Sequence, residues 1–199
     1  QVERMLDDPK VRVFTKTFIG QWLGTKDVGG RVAPTQNDIQ HYYTPEDAKA
    51  MRTECELFFQ HLISENRPVL DLLDSNYTFM NGRLAKFYQR KDFKDLPFEE
   101  FTKVSYGNDR RGGLVGMGAV LAATSHYKQT SPVLRGAWVL DVLFGTPVPP
   151  PPPDVPPLVK NDKGKKLTIK ESLEKHRDHA SCSACHNLID PVGFALENF

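Results

Sequence analysis

The sequence predicts an all-α chain made of two small helical domains or subdomains, residues 1–105 and 106–199. Three observations carry this. Apolar residues recur at steps of three and four behind recognisable helix caps. A stretch at 106–113 with three glycines, two arginines and an Asn-Asp pair breaks that periodicity midway. Further on, eight of the eleven residues at 147–157 are proline, and such a run joins neither a helix nor a sheet interior.

The first helix is expected after Asp8 and Pro9, with Val11, Phe14, Phe18 and Trp22 as its buried stripe and Gly24 as its stop. The second is opened by Thr44, Pro45 and Asp47, an N-cap, an N1 proline and a carboxylate at N3. Ala48, Met51, Cys55, Phe58 and Leu62 follow on one face. Cys55 is therefore read as a buried small hydrophobe rather than a reactive thiol. A third helix is expected over residues 77–89, with Met80, Leu84, Phe87 and Tyr88 on one side. This half shows no chemistry of its own.

In the second half, residues 114–125 form a helix candidate in which Gly116, Gly118, Ala119, Ala122 and Ala123 surround Met117, Val120 and Leu121. Such small residues let a flat object or another helix approach closely. Ser131 and Pro132 cap the next helix, which carries Val133, Ala137, Leu140 and Phe144 and ends at Gly145. The prolines then make a stiff polyproline strap. Thr168 and Glu171 form a capping box for a helix running through His176.

Length and charge narrow the functional classes. The 199 residues suit one large or two small domains, and the formal net charge is +1. Basic and acidic residues are interspersed, with no electrostatic footprint for nucleic acid; the lysines at 160–170 read as a solvated loop. The longest nearly apolar stretch, residues 114–123, is far shorter than the roughly 20 residues that span a bilayer. The start at Gln1 is read as either a removed signal peptide or a piece of a larger protein, and the apolar ending VGFALENF favours the second.

The chemistry sits in Cys182, Ser183, Ala184, Cys185 and His186, which spell CxxCH, the attachment pattern of a c-type haem. Two thiols add to the two vinyl groups of one porphyrin, and the imidazole on the same turn points at the iron. The rival is a zinc site completed by His176 and His179, which would staple an interaction domain. A redox disulfide of thioredoxin type needs a preceding strand where the sequence offers helix. Haem c is assembled outside the cytoplasm, so the expected location is periplasmic or otherwise exported, the cell surface included.

The stretch TSPVLRGAWVLDVLFGTPVPPPPPDVPPL, then LEKHR, then CSACHNLIDPVGFALENF resembles the planctomycete-type cytochrome proteins. FIGQWL near Trp22, the Phe58-Phe59 pair and YTFMNGRLAKFY at 77–88 are similar to the domain that precedes the CxxCH domain in that family. The resemblance covers nearly the whole chain, although Cys55 is not part of the family pattern. It implies large exported multi-domain proteins, of which this chain resembles an internal two-domain piece. It also implies a monohaem c-type cytochrome domain and one-electron transfer, with redox partner proteins or adjacent domains of the same polypeptide as partners.

Iron held by His186 needs a sixth ligand for electron transfer or an open position for peroxidase chemistry or oxygen activation. Met117 is the expected sixth ligand, in preference to Met5, Met51 and Met80, because its glycine and alanine neighbours leave room for a porphyrin. His126 is the alternative; His176 and His179 are weaker, and His41 and His61 belong to the other half. The second N–H of His186 needs an acceptor, either the Pro191 carbonyl or the Asp190 carboxylate. Arg135 is read either as a partner of a haem propionate or as a solvent-exposed helix arginine.

Overall fold

The computed structural model describes residues 1–33, 43–107, 111–126, 129–162 and 164–198, and the chain divides into two units, Gln1–Thr130 and Ser131–Asn198. His41 and residues 108–110 of the expected interruption lie outside the described residues.

In the first unit, α1 (Val2–Leu6) precedes α2 (Val11–Trp22), and Gly24, at φ 71°, turns the chain after it as expected. The buried face of α2 is one position away from the expected stripe. Thr15, Ile19 and Leu23 are buried, whereas Phe14 and Phe18 are 55% and 41% exposed. A helix turns about 100° per residue, so 14, 18 and 22 run beside 15, 19 and 23. The displaced aromatics form their own half-open cluster: Phe18 stacks on Phe14 at 5.8 Å and on Phe59 at 5.3 Å.

The longest helix, α3 (Pro45–Ser64), starts where the sequence places it, with a reciprocal capping box between Thr44 and Asp47. Its expected face, Ala48, Met51, Cys55, Phe58 and Leu62, is the buried one. Each large side chain on it contributes about 1.5–3 kcal/mol by leaving water. Burial also pushes the Cys55 thiol well up, as befits an inert core residue.

The all-α expectation is corrected here: the fold is mixed, mainly helical with two short antiparallel ribbons. Residues 77–89 are not one helix. Tyr77–Met80 is strand β1, Asn81 caps a short helix α4 (Gly82–Phe87), and Thr102–Ser105 is β2, with Tyr77 opposite Ser105 and Met80 opposite Thr102. Aromatic and β-branched residues suit a pleated half-buried surface. The Asn81 side chain accepts the Leu84 N–H at 2.9 Å, which fixes the switch from strand to helix. Met80 and Leu84 are both buried, so the right residues face the core from two different elements.

Residues 114–125 are likewise divided, into a 3-10 turn at Leu114–Gly116, an extended Met117, and α5 (Gly118–Ala123). What approaches the small residues is protein. A Cβ on Gly118 would stand 2.6 Å from Met51 Sδ and 2.7 Å from the Tyr88 hydroxyl, and the Gly118 N–H donates to that hydroxyl at 2.7 Å.

This close packing surrounds a buried carboxylate. Glu54 is fully buried and accepts from Thr78 Oγ1 at 2.7 Å and from Tyr88 Oη at 2.5 Å. Burial outweighs those hydrogen bonds and the Arg111 charge, and pushes its pKa up to about 7. The folded chain therefore keeps a proton that the unfolded chain loses near pH 4.5. Stability is expected to fall as pH rises from about 4.5 to 7, by about 3–4 kcal/mol at about 1.4 kcal/mol per pH unit. Urea unfolding followed through Trp22 in a Trp138→Phe background should show this slope. Glu54→Gln should flatten it; an unchanged slope would place the titration elsewhere.

The second unit begins with α6 (Pro132–Trp138), where the Ser131 side chain accepts the Leu134 N–H as expected. A π-helical turn, Val139–Leu143, extends it to Gly145, at φ 63°. Residues 149–157 carry no helix or strand and are exposed. The expected lysine loop contains a small ribbon, β3 (Asn161–Asp162) on β4 (Lys165–Lys166), which turns at Gly164 with φ 82°. Then α7 (Ile169–His176), with its Thr168–Glu171 capping box, leads to α8 (Ala180–Ala195). Among the described residues no helix is long and apolar enough to cross a membrane.

Candidate functional site

The CxxCH residues lie near the start of α8, which begins after an extended His179 that makes no side-chain cap. Cys182, Cys185, His186, Ile189 and Asp190 fall at helical steps of three, one, three and one, so they share one face. That face is graded. Cys182, Cys185 and His186 are partly exposed, whereas Ile189 and Asp190 are buried. Both cysteines are free thiols.

The buried end is pinned against α6 by two glycines. A Cβ on Gly136 would come within 2.9 Å of the Ile189 carbonyl carbon, and one on Gly193 within 2.6 Å of the Pro132 carbonyl carbon. Arg135, itself buried, pairs with Glu197 and donates to the Leu196 carbonyl at 3.2 Å. These partners follow His186 by about ten residues, roughly 15 Å along the helix direction at 1.5 Å per residue. Arg135 thus ties α6 to the far end of α8. Pro191 is inside α8 and brings no N–H for the Asn187 carbonyl, which falls on an exposed residue.

Of the two acceptors considered for His186, Asp190 is the one in reach: Nδ1 is 2.9 Å from Oδ1. This leaves Nε2 as the ring nitrogen open to a metal. Asp190 Oδ2 is buried with no hydrogen bond, and Arg177 Nη1 stands 3.8 Å from it. His176 packs edge-on against the His186 ring at 4.8 Å between centroids. Burial, then the neighbouring imidazole, hold the His176 pKa below its ordinary value. Among the described residues no three His, Cys, Asp or Glu side chains gather as a metal-holding group, so Cys182, Cys185, His176 and His179 do not form the zinc set.

The two expected distal ligands are in the other unit. Met117 is 1% exposed, and its Sδ accepts from the Cys55 thiol at 3.5 Å. A ligand role would require it to leave the core it fills. His126 is exposed at the end of α5, where its backbone pairs with Gln129. It lines a cavity of about 470 Å³ together with Tyr43, Met51, Phe87, Tyr88 and Leu121. His61, also in the first unit, is edge-on to Tyr77 and Phe79.

Two family models match the chain in tandem. PSD4, described as a protein of unknown function (DUF1592), matches residues 1–89, and PSCyt3, described as a protein of unknown function (DUF1588), matches residues 111–199. Both are planctomycete cytochrome c-type domains. The chain belongs to the planctomycete-type cytochrome family. In this chain the PSCyt3 match contains the whole CxxCH helix, together with α6 and α7 that hold it. No curated protein and no solved structure matches the chain.

Sequence reading missed the His176 edge contact and the Arg135–Glu197 tie. Asp190 lies four residues after His186 and was accessible as an i, i+4 pair. The other two contacts join residues across helix packings that spacing along the chain does not encode.

Proposed function

We propose that the second unit carries one haem c, bound through thioethers to Cys182 and Cys185 with His186 as an axial ligand. In this reading it passes single electrons between partner proteins or neighbouring domains of an exported multi-domain protein. The observation that supports it most is the shared face: two partly exposed free thiols and an imidazole whose Nδ1 is engaged by Asp190 while Nε2 is not. Each thiol adds across one vinyl group, so no atom is lost on attachment. When bound, the haem supplies an iron that cycles between ferrous and ferric states.

The residues supply attachment, one axial ligand and burial. The glycine contacts of α6 with α8 hold the ligand helix, and Asp190 holds the ring of His186 on its Nδ1 side. The partly exposed CxxCH turn leaves an approach for a redox partner. Because haem c is assembled outside the cytoplasm, this function places the protein in an exported compartment.

The test is the absorption spectrum of the chain produced with a haem c maturation system in a bacterial periplasm. A Soret band that survives acidic organic extraction is expected, with sharp reduced bands and no change on adding cyanide. No Soret band would overturn the haem reading. A high-spin ferric spectrum that shifts with cyanide or peroxide would replace electron transfer by the open-site enzyme reading.

A further inference from the structure

We infer that Asp190 is a positioning residue that makes His186 a strongly donating ligand and sets the haem centre at a low reduction potential. The inference rests on the haem reading above and goes beyond it by naming what tunes the iron.

Asp190 has no exposed surface, and the His186 side chain beside it is 17% exposed. One carboxylate oxygen faces the imidazole Nδ1 at 2.9 Å. The other has no hydrogen bond. A buried carboxylate is ordinarily surrounded by donors that spread its charge. Here the imidazole is the donor, and the nearby cation, Arg177, stands 3.8 Å from the far oxygen with a quarter of its side chain exposed. The negative charge is thus directed at the ring.

Two consequences follow. The Nδ1 proton is held toward the carboxylate, so the lone pair on Nε2 faces outward. A full negative charge in a low-dielectric setting also raises the basicity of the ring and favours the more positive oxidation state of a metal it binds. A backbone carbonyl, the other acceptor available in this turn, brings only a partial charge. The arrangement is rigid. Asp190 follows Ile189, whose carbonyl is pressed against Gly136, and His176 packs edge-on against the His186 ring.

The test compares haem-loaded wild type, Asp190→Asn and Arg177→Gln by redox titration. Asp190→Asn keeps the size and removes the charge. It is expected to make reduction at least tenfold more favourable, an upward shift of 59 mV for one electron. Arg177→Gln, which unmasks the carboxylate, should lower the potential, a sign reversal that mere loss of packing would not produce. If Asp190→Asn does not fold, Arg177→Gln carries the test, and an unchanged potential there overturns the inference. A haem-bearing Asp190→Asn with unchanged potential overturns it while leaving the haem reading intact. A wild-type chain without covalent haem overturns both.

Discussion

Chains in which Cys182 and Cys185 are both serine are expected to hold no covalent haem, the largest functional change any substitution here should cause. Both side chains are partly exposed on the open part of α8, so serine fits without opening a cavity, and the second unit should remain folded. Serine has neither the nucleophilicity nor the thioether chemistry that attachment requires. Acidic organic solvent should extract all the haem from the double variant and none from the wild type. Mass spectrometry of the extracted chain should show the bare polypeptide. Cys55→Ala is the control: that thiol is buried in the first unit beside Met117, and covalent haem should survive its loss. Haem retained by the double variant would sink the attachment assignment.

Gly193→Ala should destabilise the second unit by about 3 kcal/mol, at the upper end of what overpacking costs. The added methyl would overlap the Pro132 carbonyl, standing 2.6 Å from its carbon and 3.0 Å from its Cα. Those are backbone atoms at the start of α6 and cannot rotate aside. The helices must separate, and Arg135 and Glu197 with them. Denaturant unfolding followed through Trp138 in a Trp22→Phe background would read the loss. Gly107→Ala, where an added Cβ meets nothing within 4 Å, should change stability by less than about 0.5 kcal/mol. Equal effects at both sites would mean that α6 and α8 do not rely on this contact.

These predictions rest on elements of differing legibility in the sequence. The Thr44–Asp47 and Thr168–Glu171 boxes, the Ser131 cap and the turns at Gly24 and Gly145 depend on neighbours within four residues, and such local chemistry is readable. The β1 strand was hidden because Met80, Leu84, Phe87 and Tyr88 mimic a helical period. The Asn81-Gly82 pair inside that window was the signal against one continuous helix. Phe14 and Phe18 misled for a different reason: their size suggests burial, yet Phe18 is only partly covered by Phe59, a residue from another helix, and Phe14 by Phe18. The glycines around Met117 were ambiguous by nature, since room for a porphyrin and room for Tyr88 and Met51 look alike in one dimension. At the site itself, the CxxCH signature and the short step to Asp190 are local. Arg135 reaches Glu197 across the fold, and no pattern along the chain announces it.

The ligand helix has a fixed end and a loose one. Its latter half is wedged at Gly136 and Gly193, while its first turn has no side-chain cap and lies half in water. Peeling back the first two turns, as far as His186, breaks neither glycine contact. An attachment enzyme that must grasp a short unfolded stretch around Cys182 and Cys185 would therefore work on a frayed thread whose other end stays knotted, and the two turns would rewind onto the same axis once released.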